Sequence, residues 1–295
     1  MLPVHNFSYG LLTPGLSYAM SCLGCFLGLR CMTRARAHQS AARVRWLLLS
    51  AVSIGVTGIW VMHFIAMLGY TIPGETITYS MPVTVLSAAV AVVVVGVGLL
   101  IVGFGGDGPQ LLLGGLIIGL GVASMHYIGM AAMRMPAAVR YDSVLVVASV
   151  AIAVFAGTAA LWAGLHVRGM WSTLGASLIM GVAVSGMHYT GMAAMTMYPA
   201  PDQGAGMTSG ATAAGFLFPL VAGISVLTFV LSLVIVLSPT DEEIQFDAAL
   251  KAQLARPSVR ALWPGFGRNV ALDQNESAAW GDRGRERSGR RENGS

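Results

Sequence analysis

The architecture of this chain is decided by the stretch MHYTGMAAM at residues 187–195 and by two related stretches that precede it. MHYIGMAAM lies at 125–133 and MHFIAM at 62–67, so the histidines of the three stretches are spaced 63 and 62 residues apart. Self-similarity at a fixed period indicates that one structural unit is repeated. The sequence therefore predicts three copies of one unit, each with a histidine at the same place.

Each stretch lies within a segment that is apolar enough to cross a lipid bilayer. The chain is 55% hydrophobic and 10% charged, whereas soluble domains carry about 25% charged residues. No charged residue occurs between Asp107 and Arg134 or between Asp202 and Asp241, and both gaps exceed the roughly 20 residues that a membrane helix needs. An all-α membrane protein is therefore expected. Its seven predicted transmembrane helices are 9–30, 46–70, 81–103, 111–133, 143–165, 170–195 and 215–237.

The period of the repeat equals the length of one helical hairpin. Seven helices then form one leading helix and three hairpins of equal orientation, at about 46–103, 111–165 and 170–237. Together they make up a predicted membrane domain over 1–237. Residues 238–295 are rich in Arg, Gly, Glu and Ser and cannot bury enough apolar area to fold. They are predicted to form a charged, disordered cytoplasmic tail.

The placement of arginine predicts how the chain lies in the membrane, because cytoplasmic loops carry an excess of basic residues. One side of the predicted bundle has six loop arginines, and the other has only Arg134 and Arg140. The six are Arg30, Arg34, Arg36, Arg43, Arg45 and Arg168. This difference predicts an N-terminus outside and a C-terminus in the cytoplasm, in a multi-pass protein of the cell membrane. Because the basic residues flank spans or lie in the tail, the net charge of +4 says little about nucleic acid. The lipid bilayer is the expected partner, and no nucleic acid is expected.

Each histidine of the repeat shares a helix face with a methionine, since residues i and i+4 lie on one face. The pairs are His63 with Met67, His126 with Met130 and His188 with Met192. Residue i+7 extends the face to Met133 and Met195, while the methionine directly before each histidine points away and is expected to pack. At about 1.5 Å per residue, every histidine lies about 22–27 Å from the cytoplasmic end of a core about 30 Å thick. All three are therefore expected near the outer surface.

These side chains are candidate ligands of a metal ion. Methionine is a common core filler, and a lone histidine in a membrane can be structural. Three histidines at one depth nevertheless favour a functional site, since ionisable groups inside membranes usually mark function. Imidazole and thioether together favour copper over zinc or iron, and no carboxylate accompanies the motifs. The histidines could form one site or three separate His–Met sites, and His5 could contribute from the outer end of the first helix.

The three motifs resemble the MHYT domain, a bacterial integral membrane module named for its Met-His-Tyr-Thr repeats. The third copy reproduces that name at 187–190, whereas Ile128 replaces the threonine in the second copy, and Phe64 and Ile65 replace the last two residues in the first. The resemblance implies a sensor that binds copper near the outer face through the histidine–methionine pairs given above. It also implies that a diatomic gas, namely oxygen, carbon monoxide or nitric oxide, is the sensed ligand.

Members of that family often join the module to cytoplasmic diguanylate cyclase, phosphodiesterase or kinase domains. The predicted tail is too short for such a domain. The chain is therefore expected not to be an enzyme, and to signal through a separate cytoplasmic partner that contacts the tail.

Two other functions fit parts of the sequence. A copper transporter or membrane metal chaperone would use the outer methionines together with the thiols of Cys22 and Cys25, which share one face of the first helix. A haem protein or redox enzyme with axial histidines ranks last, because no motif indicates a substrate pocket.

Overall fold

A computed structural model describes residues 3–199, 211–212, 215, 218–237 and 250 of the 295-residue chain. The predicted tail at 238–295 therefore lies almost entirely outside the described residues. Within them, the chain is mostly helical, and six helices are long and apolar enough to cross a membrane. The protein is a multi-pass membrane protein.

The helices follow the order of the predicted spans. The first span is α1, Leu12–Ala37, and the second is divided into α2, Ser40–Val52, a π-helix, Ser53–Val61, and α3, Met62–Leu68. The remaining helices are α4, Met81–Gly105, α5, Pro109–Ala131, α6, Ser143–His166, α7, Met170–Ala193, and α8, Phe218–Leu237. The last of these is a seventh apolar helix at the position of the seventh predicted span.

The basic loop predicted between the first two spans is wrong in its extent. Only His38 and Gln39 separate α1 from α2, so the five arginines assigned to this loop lie in helical turns. The sequence between Gly28 and Gly55 contains neither glycine nor proline to stop a helix, and arginine is a good helix former. Long arginine side chains can also carry their charge to the membrane surface from within a helix.

The π-helix in the second span was not predicted from the sequence. A π-helix is rare and is usually a single turn at a functional site, whereas this one covers nine residues. It lies close to α1, because a Cβ atom placed on Gly24 would be 2.3 Å from the backbone nitrogen of Gly58. Apolar periodicity cannot reveal such a segment when residues on every side of the helix are buried, including the polar Ser53 and Thr57.

Neighbouring helices pack in sequence order and then close on the first helix. From α4 to α7, each helix packs along the next, and α1 packs against both the second span and α7. Small residues allow this proximity, since a Cβ atom on Gly98 would be 3.0 Å from the Gly114 carbonyl oxygen. Helix α8 contacts the π-helix and α1. The three helices that carry the repeated motifs are thereby brought around one centre.

Short strands cover one end of the bundle, here called the strand end, where turns were predicted. They are β1, Thr78–Tyr79, β2, Met133–Arg134, β3, Ala137–Tyr141, β4, Met195–Pro199, and β5, Ala211–Thr212. In one sheet β1 lies between β2 and β5, and in the other β3 pairs with β4, all antiparallel. The opposite end, which carries the six arginines, is called the arginine end.

The strands correct the predicted ends of the fourth and sixth spans. Helices α5 and α7 stop at Ala131 and Ala193, so Met133 and Met195 lie in strands and not on a helix face. The carbonyl of Ala132 accepts a hydrogen bond from the Ser80 backbone, and that of Ala194 from the Asp142 backbone. These bonds to the neighbouring loop draw the chain off its helical path. Prolines follow both breaks, and the residue before a proline avoids helical geometry.

One buried hydrogen bond joins α8 to the bundle, between the hydroxyl groups of Thr57 and Thr228 at 2.8 Å. Replacement of Thr228 by Val keeps the shape but leaves the Thr57 hydroxyl unpaired. Bonds of this kind in membranes contribute about 0.6 kcal/mol and at most about 1.7 kcal/mol. We expect Thr228→Val to increase the hydrogen exchange rate of α8 amides severalfold, measured by mass spectrometry on the purified protein.

The matched control is Ser225→Ala, because the Ser225 hydroxyl donates to the Val221 carbonyl within the same helix. That variant should leave exchange in α8 close to wild type. Equal exchange in the two variants would show that the Thr57–Thr228 bond does not hold α8 in place.

Candidate metal centre

The three repeated histidines meet inside the bundle. His63, His126 and His188 lie in α3, α5 and α7, each five residues before the last residue of its helix. All three are fully buried, with at most 1% of the side chain exposed. Equal positions in equal helices place them at one level, as the repeat predicted.

Their imidazole nitrogens point at a common centre. The Nδ1 atom of His63 is 3.1 Å from Nδ1 of His188 and 3.2 Å from Nδ1 of His126. The ring centroids are 5.0, 5.0 and 5.1 Å apart, and the planes are within a few degrees of perpendicular at 85°, 84° and 90°. The rings are therefore arranged like three blades around an approximate threefold axis. One group of three histidines exists, where the sequence left open three separate sites.

This donor set fits a single metal ion. A neutral imidazole has one N–H and one lone pair, so a proton shared between two of the three Nδ1 atoms leaves the third without a matching partner. A cation accepts all three lone pairs at once. Three nitrogens at about 2.0–2.1 Å from one ion would lie about 3.3–3.6 Å apart, and the two Nδ1–Nδ1 distances that involve His63 are close to this spacing. Ligand atoms of the three residues all lie within 4.8 Å of one another.

Glycines in the motif provide the space for the rings. A Cβ atom on Gly129 would lie 2.5 Å from Nε2 of His63, and one on Gly191 would lie 2.4 Å from Nε2 of His126. The glycine three residues after one histidine thus accommodates the imidazole of the preceding copy. The first copy has Ala66 at this position. Sequence reasoning missed this role, although the glycine at a fixed distance from two of the histidines was the available signal.

The methionines predicted as ligands lie in the next layer toward the strand end. Met67, Met130 and Met192 are buried in the same apolar core, one helical turn beyond the histidines. The four residues from each histidine to its methionine correspond to a rise of about 6 Å along the helix. The methionines directly before the histidines are 1% exposed each, as expected of packing residues. These are Met62, Met125 and Met187.

The weaker candidates lie farther from the histidine group. Met133 and Met195 are buried in β2 and β4, so the helical spacing that nominated them does not apply. His5 is exposed, and its backbone pairs with that of Thr71 through two hydrogen bonds of 2.9 Å. Among the described residues, the group of three histidines does not include His5.

Aromatic residues fix the helices around the histidines. The ring of Phe64 packs edge-on against His63, and those of Tyr127 and Tyr189 lie in the same way beside the two other histidines. The Tyr127 hydroxyl also bonds to the Ser149 hydroxyl of α6 at 2.7 Å. Beyond the end of α3, burial raises the pKa of Tyr70 to about 12, so its phenol stays neutral. In the second motif the aromatic residue therefore also joins its helix to a neighbouring helix.

Carboxylates are remote from the centre in the part of the chain that the structure describes. Its three acidic residues, Glu75, Asp107 and Asp142, are all exposed in loops at the ends of the bundle. A cation at the histidines would be held by neutral nitrogen donors. The next predicted donors are the methionine sulfurs one helical turn away. Hard ions such as magnesium and calcium prefer oxygen ligands, so this donor set excludes them.

Comparisons with known proteins agree with the repeat. The MHYT family model, described as a bacterial signalling protein N terminal repeat, matches residues 57–115 and 119–177. The bifunctional diguanylate cyclase/cyclic di-GMP phosphodiesterase MucR of Pseudomonas aeruginosa is 36% identical over 194 residues, or 63% of this chain and 28% of that protein. The cyclic di-GMP phosphodiesterase NbdA of the same organism is 35% identical over 201 residues, or 66% and 25%.

A more distant relative is the signaling protein YkoW of Bacillus subtilis, 31% identical over 197 residues, which are 62% of this chain and 24% of that protein. The chain thus spans about a quarter of the length of the curated relatives that it matches. No solved structure matches it significantly.

The glycine contacts predict that alanine destabilises the protein at two positions of the motif and not at a third glycine nearby. Gly129→Ala and Gly191→Ala push a methyl group into a buried imidazole, and overpacking of this kind costs about 1–3 kcal/mol. Both variants should unfold at lower temperature than wild type. If a metal binds here, they should also bind it about tenfold or more weakly, as the supporting residues of metal ligands usually do when changed.

The control is Gly186→Ala, two residues before His188, where an added Cβ meets no atom within 4 Å. Alanine favours helix by up to about 1 kcal/mol over glycine, so this variant should match or exceed wild-type stability. Thermal unfolding and metal titration of the three variants check both effects. Gly129→Ala and Gly191→Ala proteins as stable as Gly186→Ala would contradict the packing described.

Proposed function

The chain belongs to the MHYT-domain family of bacterial signalling proteins, and on that premise we propose that it is a membrane sensor whose buried histidines bind a copper ion. The convergence of three Nδ1 atoms on one centre supports this proposal most directly. A membrane core offers no water to solvate three imidazoles, so their nitrogens need a common partner.

The surrounding donors favour copper over the alternatives. Imidazole suits copper, zinc and iron, whereas thioether sulfur selects Cu(I). The layer of Met67, Met130 and Met192 is buried next to the histidines, and we propose these sulfurs as further ligands or as a soft lining for the ion. Met133, Met195 and His5 have weaker claims, because they lie beyond the ends of the helices. Zinc or iron would use the histidines alone.

The proposed topology places this centre near the outer face, with the N-terminus outside and the arginine end in the cytoplasm. Three protein ligands leave a position at a metal ion open to an exogenous molecule. We propose a diatomic gas, namely oxygen, carbon monoxide or nitric oxide, as that molecule. Bilayer lipid would be no barrier to an uncharged ligand of this size.

A continuous path leads from the centre toward the C-terminus. His63 lies in α3, which continues directly from the π-helix that contains Thr57, and Thr57 bonds to Thr228 in α8. A shift of His63 on metal or gas binding would therefore act on α8, and through it on a cytoplasmic partner that the tail at 238–295 contacts. Two relatives are named as enzymes of cyclic di-GMP turnover. This chain covers only 28% and 25% of those two proteins, and we propose no enzymatic activity for it.

Removal of the histidines tests the metal proposal. Wild-type protein purified after growth with copper should retain copper, with the zinc and iron content low by elemental analysis. The variant with His63, His126 and His188 all changed to Ala should lose it. His166→Ala is the matched control, because this histidine is exposed and lies outside the group.

Circular dichroism and size-exclusion chromatography would verify that every variant is folded. Equal metal content in the wild type and the folded triple variant would contradict the proposal that these histidines bind a metal ion. Retention of zinc or iron with no copper would keep the site and reject copper. Absence of any change in α8 hydrogen exchange when the copper-loaded protein meets oxygen, carbon monoxide or nitric oxide would reject gas sensing.

A copper transporter or metal chaperone is the second candidate, supported by the position of two thiols inside the bundle. The Sγ atom of Cys22 faces Gly181 of α7, and Sγ of Cys25 lies 3.5 Å from the Cβ position of Gly58 in the second span. Both neighbours belong to spans that also carry a histidine of the centre. The thiols lie nearer the arginine end than the histidines do. A soft ion could therefore pass between the histidine centre and these two cysteines.

Transport predicts metal flux in vesicles that contain the purified protein, and it predicts that Cys22→Ser and Cys25→Ser slow this flux about tenfold or more. Cys31→Ser is the control, since Cys31 is buried elsewhere, beside Leu27 and Trp46. Sensing predicts no flux above that of empty vesicles. Equal flux in all three variants would remove the thiols from the transport path.

A further inference from the structure

We propose that the arginine end binds the phosphate of an anionic phospholipid between Arg36 and Arg168. The inference goes beyond the metal centre and does not depend on it. It starts from Arg36 in the last turn of α1. Its Nη2 atom donates to the Val167 carbonyl at 3.2 Å and to the Thr33 hydroxyl at 3.4 Å, while its Nη1 atom is buried without a hydrogen-bond partner. A buried cationic donor without an acceptor is costly.

A second arginine is close to the first in the fold. Arg168 directly follows Val167 in the exposed loop between α6 and α7, so the hydrogen bond from Arg36 to the Val167 carbonyl holds Arg36 next to the backbone of Arg168. Two positive charges near each other at a membrane surface repel, and an anion bound between them would offset that repulsion.

The described part of the arginine end supplies no carboxylate for this pair. Its one acidic residue is Asp107, whose carboxylate contacts Nε2 of His166 at 3.4 Å. Two other arginines of this end are held over aromatic rings, Arg34 over Trp46 and Arg43 over Phe104, at 5.0 and 5.2 Å from the ring centroids. Among the described arginines of this end, Arg36 is the one with a buried N–H group that lacks an acceptor, so an external anion has a donor here.

The depth of the pair in the membrane favours a lipid headgroup as the anion. Exposed Trp162 and Trp171 lie on either side of the α6–α7 loop, and tryptophan marks the level of the headgroups at membrane surfaces. A phosphate at this level meets two forked guanidinium groups, which are well suited to bind its oxygens. Basic pockets between helix ends bind anionic headgroups in the same way.

The test uses the full-length protein, stripped of lipid in detergent, with binding measured by native mass spectrometry. Phosphatidylglycerol should bind saturably and more tightly than phosphatidylcholine of the same acyl composition. Arg36→Gln and Arg168→Gln should each weaken phosphatidylglycerol binding about fivefold, the effect of about 1 kcal/mol per arginine. They should weaken phosphatidylcholine binding less, because the choline cation offsets the charge of that lipid's phosphate. Arg36→Lys should fall between wild type and Arg36→Gln, because lysine keeps the charge but loses the fork.

Arg45→Gln is the matched control, since it removes one exposed charge from the same end of the bundle. If Arg45→Gln weakens phosphatidylglycerol binding as much as Arg168→Gln does, the effect comes from net charge alone and the proposed site is overturned. If Arg36→Gln fails to fold, Arg168→Gln decides, because Arg168 is exposed in a loop. Inorganic phosphate that binds the wild type as tightly as phosphatidylglycerol would identify a soluble anion and overturn the lipid assignment.

Discussion

Everything in this structure depends on three imidazoles that face one another in a place where water cannot reach them. Lone pairs and N–H groups buried in a membrane need partners, and the Nδ1 atoms of His63, His126 and His188 have mainly one another. This requirement dictates equal depth for the histidines, and equal depth is what three copies of one hairpin provide. The glycines that make room for the rings and the strands that end the helices serve the same geometry. Three copies of one hairpin each supply one histidine at the same depth.

The surroundings of the histidines explain why the motif extends beyond its histidine. The aromatic residue after each histidine packs edge-on against the ring, and in the second copy it also bonds to the next helix through Ser149. The glycine at the fifth position accommodates the ring of the preceding copy. The methionine at the sixth position adds a polarizable layer that can adapt to an ion or simply fill space. Each position of the motif thus has a different neighbour, and together they hold the rings in register.

Much of this arrangement could be predicted from the sequence, because membrane length and repeat period impose simple constraints. The spans, the repeat and the common level of the histidines follow from apolar runs and from spacing. Four features did not follow. The π-helix cannot be read from periodicity in a segment that is buried on nearly all sides. The strands arise from backbone bonds between loops that are distant in sequence, such as Ser80 to Ala132. The packing role of Gly129 requires knowledge of which ring lies opposite, and helix α1 extends through arginines that a rule based on loops counts as loop residues.

The repeat is symmetric at its centre but not along its helices, and this difference bears on signalling. The stretch before His63 is a π-helix, whereas the corresponding stretches of α5 and α7 are regular α-helix. The first copy also has alanine where the others have glycine. A change that moves the three histidines equally therefore acts on three spans, of which one has a different pattern of backbone hydrogen bonds. Conversion between π and α geometry rotates and shifts the residues on one side of the segment relative to the other. The residue that bonds to α8, Thr57, lies within this segment, so the asymmetric span is also the one attached to the helix that leads to the C-terminus.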